Sequence, residues 1–210
     1  GFSPDAEFPI INGEKGNITA YLHFEGQNDG EFSLVSFNGG LRENMVPESA
    51  TAVVSGNMPN LVDKLDEFAK EHGLRFEYQE LPSGQITVTI VGKSAHGASP
   101  QSGVNGATYL AKFLTQFDFA DSAKNYLEVA GNILLEDHAG KALKVDYVDE
   151  KMGALSMNAG VFRFDEASDD NTIALNFRYP QGTNPETIKA ELEKLPVEKV
   201  TLSEHEHVPH

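Results

Sequence analysis

Ile86-Thr87-Val88-Thr89-Ile90-Val91 runs directly into Gly92-Lys93-Ser94-Ala95-His96-Gly97-Ala98-Ser99-Pro100-Gln101-Ser102-Gly103-Val104-Asn105-Gly106. Ile86, Val88 and Ile90 alternate with Thr87 and Thr89, the two-residue period of a strand with one buried face. Past the loop, Val104, Ala107, Leu110, Ala111 and Leu114 recur at helical spacing, which predicts a helix over about 103–116. The stretch between is a tight Gly/Ser/Pro loop with one imidazole at its centre. Its glycines let backbone and ligand approach closely, and Pro100 fixes the chain direction ahead of the helix. Such a junction can hold His96 out from a rigid scaffold, or it can be an ordinary connection with a surface histidine. Gly92-Lys93-Ser94 ends like a phosphate-binding loop, but that motif needs a glycine where this chain has Thr87. The residues argue against nucleotide binding.

Working outward, the order from Ile86 is strand, helix, an extra helix, strand, strand, helix, strand. The strand pair is expected at 154–164 and 172–179, across an acidic loop from Asp165 to Asn171. Ile173, Leu175, Phe177 and Tyr179 share one face of the second strand, and Thr172, Ala174, Asn176 and Arg178 the other. The extra helix is expected over about 122–135. Thr183 and Glu186 resemble a capping box around Pro185 for a last helix through Ile188, Leu192 and Leu195, and a short strand near 197–203 closes the pattern. This is the ferredoxin-like βαββαβ arrangement, an α+β fold with helices on one face of an antiparallel sheet.

The part before Ile86 reads as a smaller strand-rich α+β unit. Alternation through Ile18, Ala20, Leu22 and Phe24 leads, across Gln27-Asn28-Asp29-Gly30, into Phe32 to Phe37, and predicts a hairpin. His23 shares its face with Tyr21 and Glu25 and is expected on solvent. Leu41 to Pro47 lacks a period and reads as an ordered loop, and Thr51 to Ser55 as a short strand. Asn57 and Pro59 open a helix through Leu61, Leu65 and Phe68, with His72 in its last turn and Gly73 as its stop. Strands follow at 75–80 and 86–91. No Pro/Ser-rich linker separates the two units, so they are expected to share a sheet or pack closely.

A chain of 210 residues can bury one good core or two small ones, and 40% hydrophobic with 23% charged residues is ordinary for a globular protein. The formal charge of −16 argues against nucleic acid and against anionic membrane surfaces. The absence of cysteine excludes disulfides and thiolate metal sites, and fits a reducing compartment such as the cytoplasm. No apolar run approaches membrane-spanning length. Phe2-Ser3-Pro4-Asp5 reads as mid-sequence, so a piece of a longer polypeptide is expected.

Gly92 to Pro100 followed by Gly103-Val104-Asn105-Gly106-Ala107 resembles the histidine loop in the lid domain of the di-zinc peptidases, the family that includes peptidase V, aminoacylhistidine dipeptidase, carnosinase, carboxypeptidase G and the aminoacylases. Three other segments, in the same order, are similar to that family. Ser3 to Pro9 with Ile11 to Gly16 looks like the segment leaving the catalytic domain, and the resemblance implies a zinc ligand at Asp5. Gly39-Gly40 through Asn44 to Pro47 looks like a loop whose asparagine, matching Asn44, helps hold substrate. Asn176-Phe177-Arg178-Tyr179-Pro180 looks like the strand whose arginine, matching Arg178, grips the substrate's terminal carboxylate. His96 matches the histidine that contacts the tetrahedral intermediate.

These residue types suit that chemistry. A preorganised donor stabilises charge developing on a carbonyl oxygen, and a guanidinium forks onto a carboxylate. The family's His-x-Asp motif and Glu-Glu pair are absent from this sequence. The resemblance therefore implies the substrate-gripping lid of a dipeptidase that uses two zinc ions. It also implies a missing catalytic domain as partner, a dipeptide as substrate, and no tight zinc on this piece alone. In that reading residues 1–13 are a remnant of the catalytic domain, 14–85 and 86–203 are two lid subdomains, and 204–210 return toward the catalytic domain. His205, His207 and His210 are not placed like the family ligand. A self-standing module that binds small molecules or peptides, or pairs through a sheet edge, is the alternative; flanking sequence discriminates the two.

Overall fold

A computed structural model describes residues 13–204 and 206–210. Its strands are β1 (Gly16–Phe24), β2 (Ser33–Gly39), β3 (Ser49–Ser55), β4 (Arg75–Glu80), β5 (Ile86–Val91), β6 (Val148–Asp149), β7 (Gly153–Ala154), β8 (Ser156–Asp165), β9 (Asn171–Tyr179) and β10 (Lys199–Leu202). The helices are α1 (Leu61–His72), α2 (Gly106–Leu114), α3 (Asp121–Glu128) and α4 (Pro185–Leu192). A π-helical turn, Val129–Ile133, extends α3, and a 3₁₀ turn, Pro100–Ser102, lies in the histidine loop.

Eight of these strands form one antiparallel sheet in the order β10-β1-β9-β8-β2-β3-β5-β4, and β6 with β7 makes a separate small hairpin. The expected sharing of a sheet between the two halves is what the chain does. The expected hairpin between β1 and β2 is not formed. β1 pairs with β9 and β10, and β2 with β3 and β8, so β9 and β8 lie between them. The alternation was right, but β1 pairs over nine positions with β9 on one side and over four with β10 on the other, so both of its edges are occupied by strands far downstream.

The α+β class holds, with the ferredoxin-like order drawn from different strands. β1, not β5, stands first: β1 and β8 flank β9, and β9 and β10, joined through α4, flank β1. β5 instead lies between β3 and β4, which α1 connects. Both halves therefore contain split crossovers in which the skipped strand fills the gap, although no sequence repeat links them.

One face of the sheet carries the core. Leu22 on β1, Phe177 on β9, Phe162 on β8, Phe37 on β2, Ala52 on β3 and Val88 on β5 are fully buried beneath the helices. α2 lies against β2, β3 and β5, while α4 lies against β1 and β10. Tyr126 of α3 sits edge-on to Phe24, Phe37 and Phe164 at centroid distances of 4.9, 5.8 and 5.1 Å, and its hydroxyl donates to the Thr172 carbonyl. The apolar stripe of α1 joins this core through Phe68, 5.5 Å from Phe113.

Helix ends follow the sequence unevenly. Gly73 ends α1 in the left-handed region (φ 65°), as expected. Asn60 rather than Asn57 precedes its first turn, and Asn184, not Thr183, caps α4 by accepting from Thr187 N–H at 2.9 Å. The Asn184 amide, one residue closer to the helix, reaches the helix donor, so the Thr183/Glu186 box is not used. His72 packs tilted against Phe68 and Tyr109, at centroid distances of 4.5 and 5.3 Å. His23 also departs from expectation: its Nδ1 meets Asp170 at 2.6 Å and its Nε2 meets Thr201 at 2.7 Å, tying β1 to β10 and to the loop before β9. Among the described residues no helix is long and apolar enough to cross a membrane.

Phe37→Ala should cost about 3–5 kcal/mol in urea unfolding, because it empties a fully buried site among aromatic rings. Leu41→Ala, at 94% exposure, should change stability by less than about 0.5 kcal/mol.

Candidate functional site

The face of the sheet turned away from the helices is polar where β1, β9 and β8 meet. Asn17, Thr19 and Tyr21 on β1 face Arg178, Asn176 and Ala174 on β9, and Asn158 lies opposite Asn176 on β8. Residues Gly40–Val46, which leave β2, border this face. Arg163 holds the start of that loop by donating from Nη1 to the Gly39 carbonyl at 3.0 Å and from Nη2 to the Gly40 carbonyl at 2.7 Å. Buried Asn158 holds its middle: Nδ2 donates to the carbonyls of Glu43 and Met45 at 2.8 and 2.9 Å. Gly160 sits at a bulge of β8, where an added Cβ would come within 2.4 Å of the Glu43 carbonyl oxygen. Only glycine lets the loop come this close.

The same loop is bonded to the histidine loop. Met45 and His96 form an antiparallel bridge; Gly97 N–H donates to the Asn44 carbonyl at 2.6 Å and Val46 N–H to the Ala95 carbonyl at 2.8 Å. Asn44 and His96, 52 positions apart in the sequence, are thus neighbours by backbone pairing. Both side chains are exposed. The Ala98 N–H donates to His96 Nδ1 at 3.0 Å, so the neutral ring carries its proton on Nε2, on the opposite side. Lys93 and Val104 exchange two bonds of 2.8 Å across the base of the histidine loop. Asn105 then caps α2, accepting from Ala107 and Thr108 N–H at 3.0 and 3.2 Å, while its Nδ2 donates to the Ala159 carbonyl at 2.9 Å.

Arg178 lies between Asn17 and Ser156 in the sheet register, one same-face step of about 7 Å from Asn176. It is half-buried, its Nε is buried without a hydrogen-bond partner, and it makes no ion pair among the described residues. Beside it Asn176 donates to Asn17 Oδ1 at 2.8 Å and to Thr19 Oγ1 at 3.1 Å, and its own Oδ1 is buried and unpaired. A buried N–H without an acceptor is costly, and a carboxylate is the acceptor that a guanidinium's planar fork fits best.

The loop forms a ridge between two clefts. One, of about 640 Å³, is lined by Asn17, Thr19, Glu43, Asn44, Asn176 and His207. The other, of about 820 Å³, lies beyond Leu41 and Arg42 and reaches Ser94 and Arg163. Neither His96 nor Arg178 lines either cleft. Tyr21 fixes the flank of the ridge: its hydroxyl donates to Glu43 Oε1 at 2.6 Å. Burial first, then the hydrogen bond and charge of Glu43, push its phenol up to about 12.

Asp5 and His205 lie outside the described residues. His207 exchanges backbone bonds with Asn17, and His210 with Glu14. Among the described residues no three His, Cys, Asp or Glu side chains converge as metal ligands. Asn158, Arg163 and Tyr21, which shape the ridge, were not singled out by sequence. The signal for the bulge was a glycine inside an alternating strand, Asn158-Ala159-Gly160.

No family model matches the chain. A beta-Ala-Xaa dipeptidase of Lactobacillus delbrueckii subsp. lactis is 37% identical over 198 residues, which are 92% of this chain and 41% of that protein. YtjP of Bacillus subtilis, a protein whose name assigns it provisionally to the dipeptidases, is 37% identical over 196 residues, 90% of this chain and 41% of that one. A solved structure, the aminoacylhistidine dipeptidase of Vibrio alginolyticus, aligns over 94% of this chain and 46% of that chain with 12% identity and a TM-score of 0.36. The chain is homologous, over nearly its whole length, to a segment of proteins named dipeptidase. It spans about two fifths of the length of these curated relatives.

Tyr21 should be the group that reports on the ridge. Its raised folded pKa means that its contribution to stability is complete below its ordinary value of 10.0 and is lost as pH rises toward about 12. Ultraviolet titration of Tyr21→Phe should show one fewer phenol ionising near pH 12, and a smaller loss of stability between pH 10 and 12.

Proposed function

We propose that this chain is the lid domain of a zinc-dependent dipeptidase, presenting substrate-gripping groups to a catalytic domain elsewhere in the complete protein. The observations that carry the reading are the backbone pairing of Asn44 with the His96 loop and a half-buried Arg178 that makes no ion pair among the described residues. Homology to a segment of dipeptidases supports it.

In this reading a dipeptide's terminal carboxylate lies on Arg178, in a charge-assisted, two-pronged hydrogen bond. The Asn44 amide supplies a neutral polar contact. His96 donates its Nε2 proton toward the scissile carbonyl oxygen as negative charge develops there; Ala98 N–H on Nδ1 has already selected that tautomer. Zinc would supply Lewis-acid chemistry from ligands outside the described residues, with Asp5 one of them. The reading includes a cytoplasmic location, on the cysteine-free composition. The isolated chain binds at most weakly and does not turn over, because the general base is not among its residues.

Kinetics of the complete protein test these roles. His96→Ala should raise the barrier by about 3 kcal/mol, mostly in kcat. Arg178→Ala should raise KM for free-carboxylate dipeptides far more than for their C-terminally amidated analogues. Equal penalties for both substrates would remove the carboxylate assignment. The purified 210-residue chain should show no dipeptide hydrolysis with added zinc. Its calorimetric titration should show no zinc site lost in Asp5→Ala, since one carboxylate cannot replace the four ligands zinc usually takes. Zinc-dependent turnover by this chain alone would overturn the assignment.

A further inference from the structure

We propose that Asn158 is a positioning residue that holds Asn44 and His96 as one unit; this rests on the reading of those two side chains as substrate groups. Asn158 is 2% exposed and has two amide hydrogens, and both are spent on the loop, at the carbonyls of Glu43 and Met45. The carbonyl between them, that of Asn44, accepts from Gly97 N–H in the histidine loop. Three successive carbonyls are therefore tied alternately to β8 and to the loop that carries His96. The next residue of β8 holds the far end of that loop, since the Ala159 carbonyl accepts from Asn105, the cap of α2. Asn158 and Ala159 thus fix both the segment bearing Asn44 and the exit of the segment bearing His96.

The geometry needs an amide at this position. One trigonal nitrogen with two hydrogens can reach two carbonyls that flank a third, and few other side chains of this size can. Aspartate has the same shape without donors and would set a carboxylate against two carbonyl oxygens. Serine keeps one donor on a shorter arm. Without the amide the Asn44 segment can still pair with the histidine loop, but the pair is no longer registered on the rigid sheet. Displacement on the ångström scale is enough to lower a rate about 100-fold.

The test uses the complete protein carrying Asn158→Asp or Asn158→Ser, with thermal unfolding and steady-state kinetics measured on each. Both variants should lose about 100-fold in kcat/KM, chiefly through kcat. Placed in the Asn44→Ala, His96→Ala double variant, the same substitutions should change the remaining rate by no more than about twofold while lowering the unfolding temperature as before. Amide exchange of Gly97 should accelerate in Asn158→Ser, with that of Lys93 and Val104 unchanged. If Asn158→Asp does not fold, Asn158→Ser is read by the same measurements.

The proposal is overturned if the Asn158 variants keep their rate while Asn44→Ala and His96→Ala lose theirs. It is overturned equally if the rate loss is the same in the double-variant background, which would make Asn158 a residue of stability alone. If Asn44→Ala and His96→Ala leave the rate intact, the underlying reading of the site fails first and the proposal with it.

Discussion

Everything in this structure rests on one seam, the antiparallel pairing of β2 with β8. It consists of Ser36 to Gly39 lying against Asp165 to Phe162. On the core side Phe37 meets Phe162 at 6.1 Å and Tyr126 at 5.8 Å, so aromatic packing closes the seam from below. On the other side Arg163 bonds the last carbonyls of β2 and the first of the loop. Joined there, two α+β halves become one sheet with one continuous core. The ridge that carries Asn44 emerges where β2 leaves β8, which makes its position a consequence of the seam.

Local pattern made most elements legible. Alternating threonines and branched residues marked β5 to the residue, and Gly73 marked the end of α1. Partners were less legible, because period tells a strand which face to bury and not whom to sit beside. Ile18 to Phe24 alternate equally well against β2 or against β9. The choice falls to residues far downstream, Asn171 to Tyr179, which pair with β1 over nine positions, and Lys199 to Leu202, which take its other edge.

The same division holds for the candidate site. His96, Asn44 and Arg178 stand as candidates because each sits in a short stretch of recognisable type. The side chains that hold the Asn44 loop did not stand out. Asn158 and Arg163 lie within the expected strand at 154–164, and their contacts with Glu43, Met45, Gly39 and Gly40 depend on a seam that no local pattern encodes. His23 taught a related lesson, since its face was predicted correctly but two neighbouring elements cover it.

The pairing of residues 14–17 with 207–210 has a geometric meaning of its own. Glu14 and His210 exchange two backbone hydrogen bonds, and so do Asn17 and His207. Residues 14 and 17 thus lie beside 210 and 207, about 4.8 Å apart. Were another fold to carry this unit, the whole eight-stranded body would present to it the end-to-end distance of a tight surface turn. Two anchoring positions on a host need not move apart to accept it, and the conformational entropy of closing so long an excursion is offset within the unit by its own sheet and core.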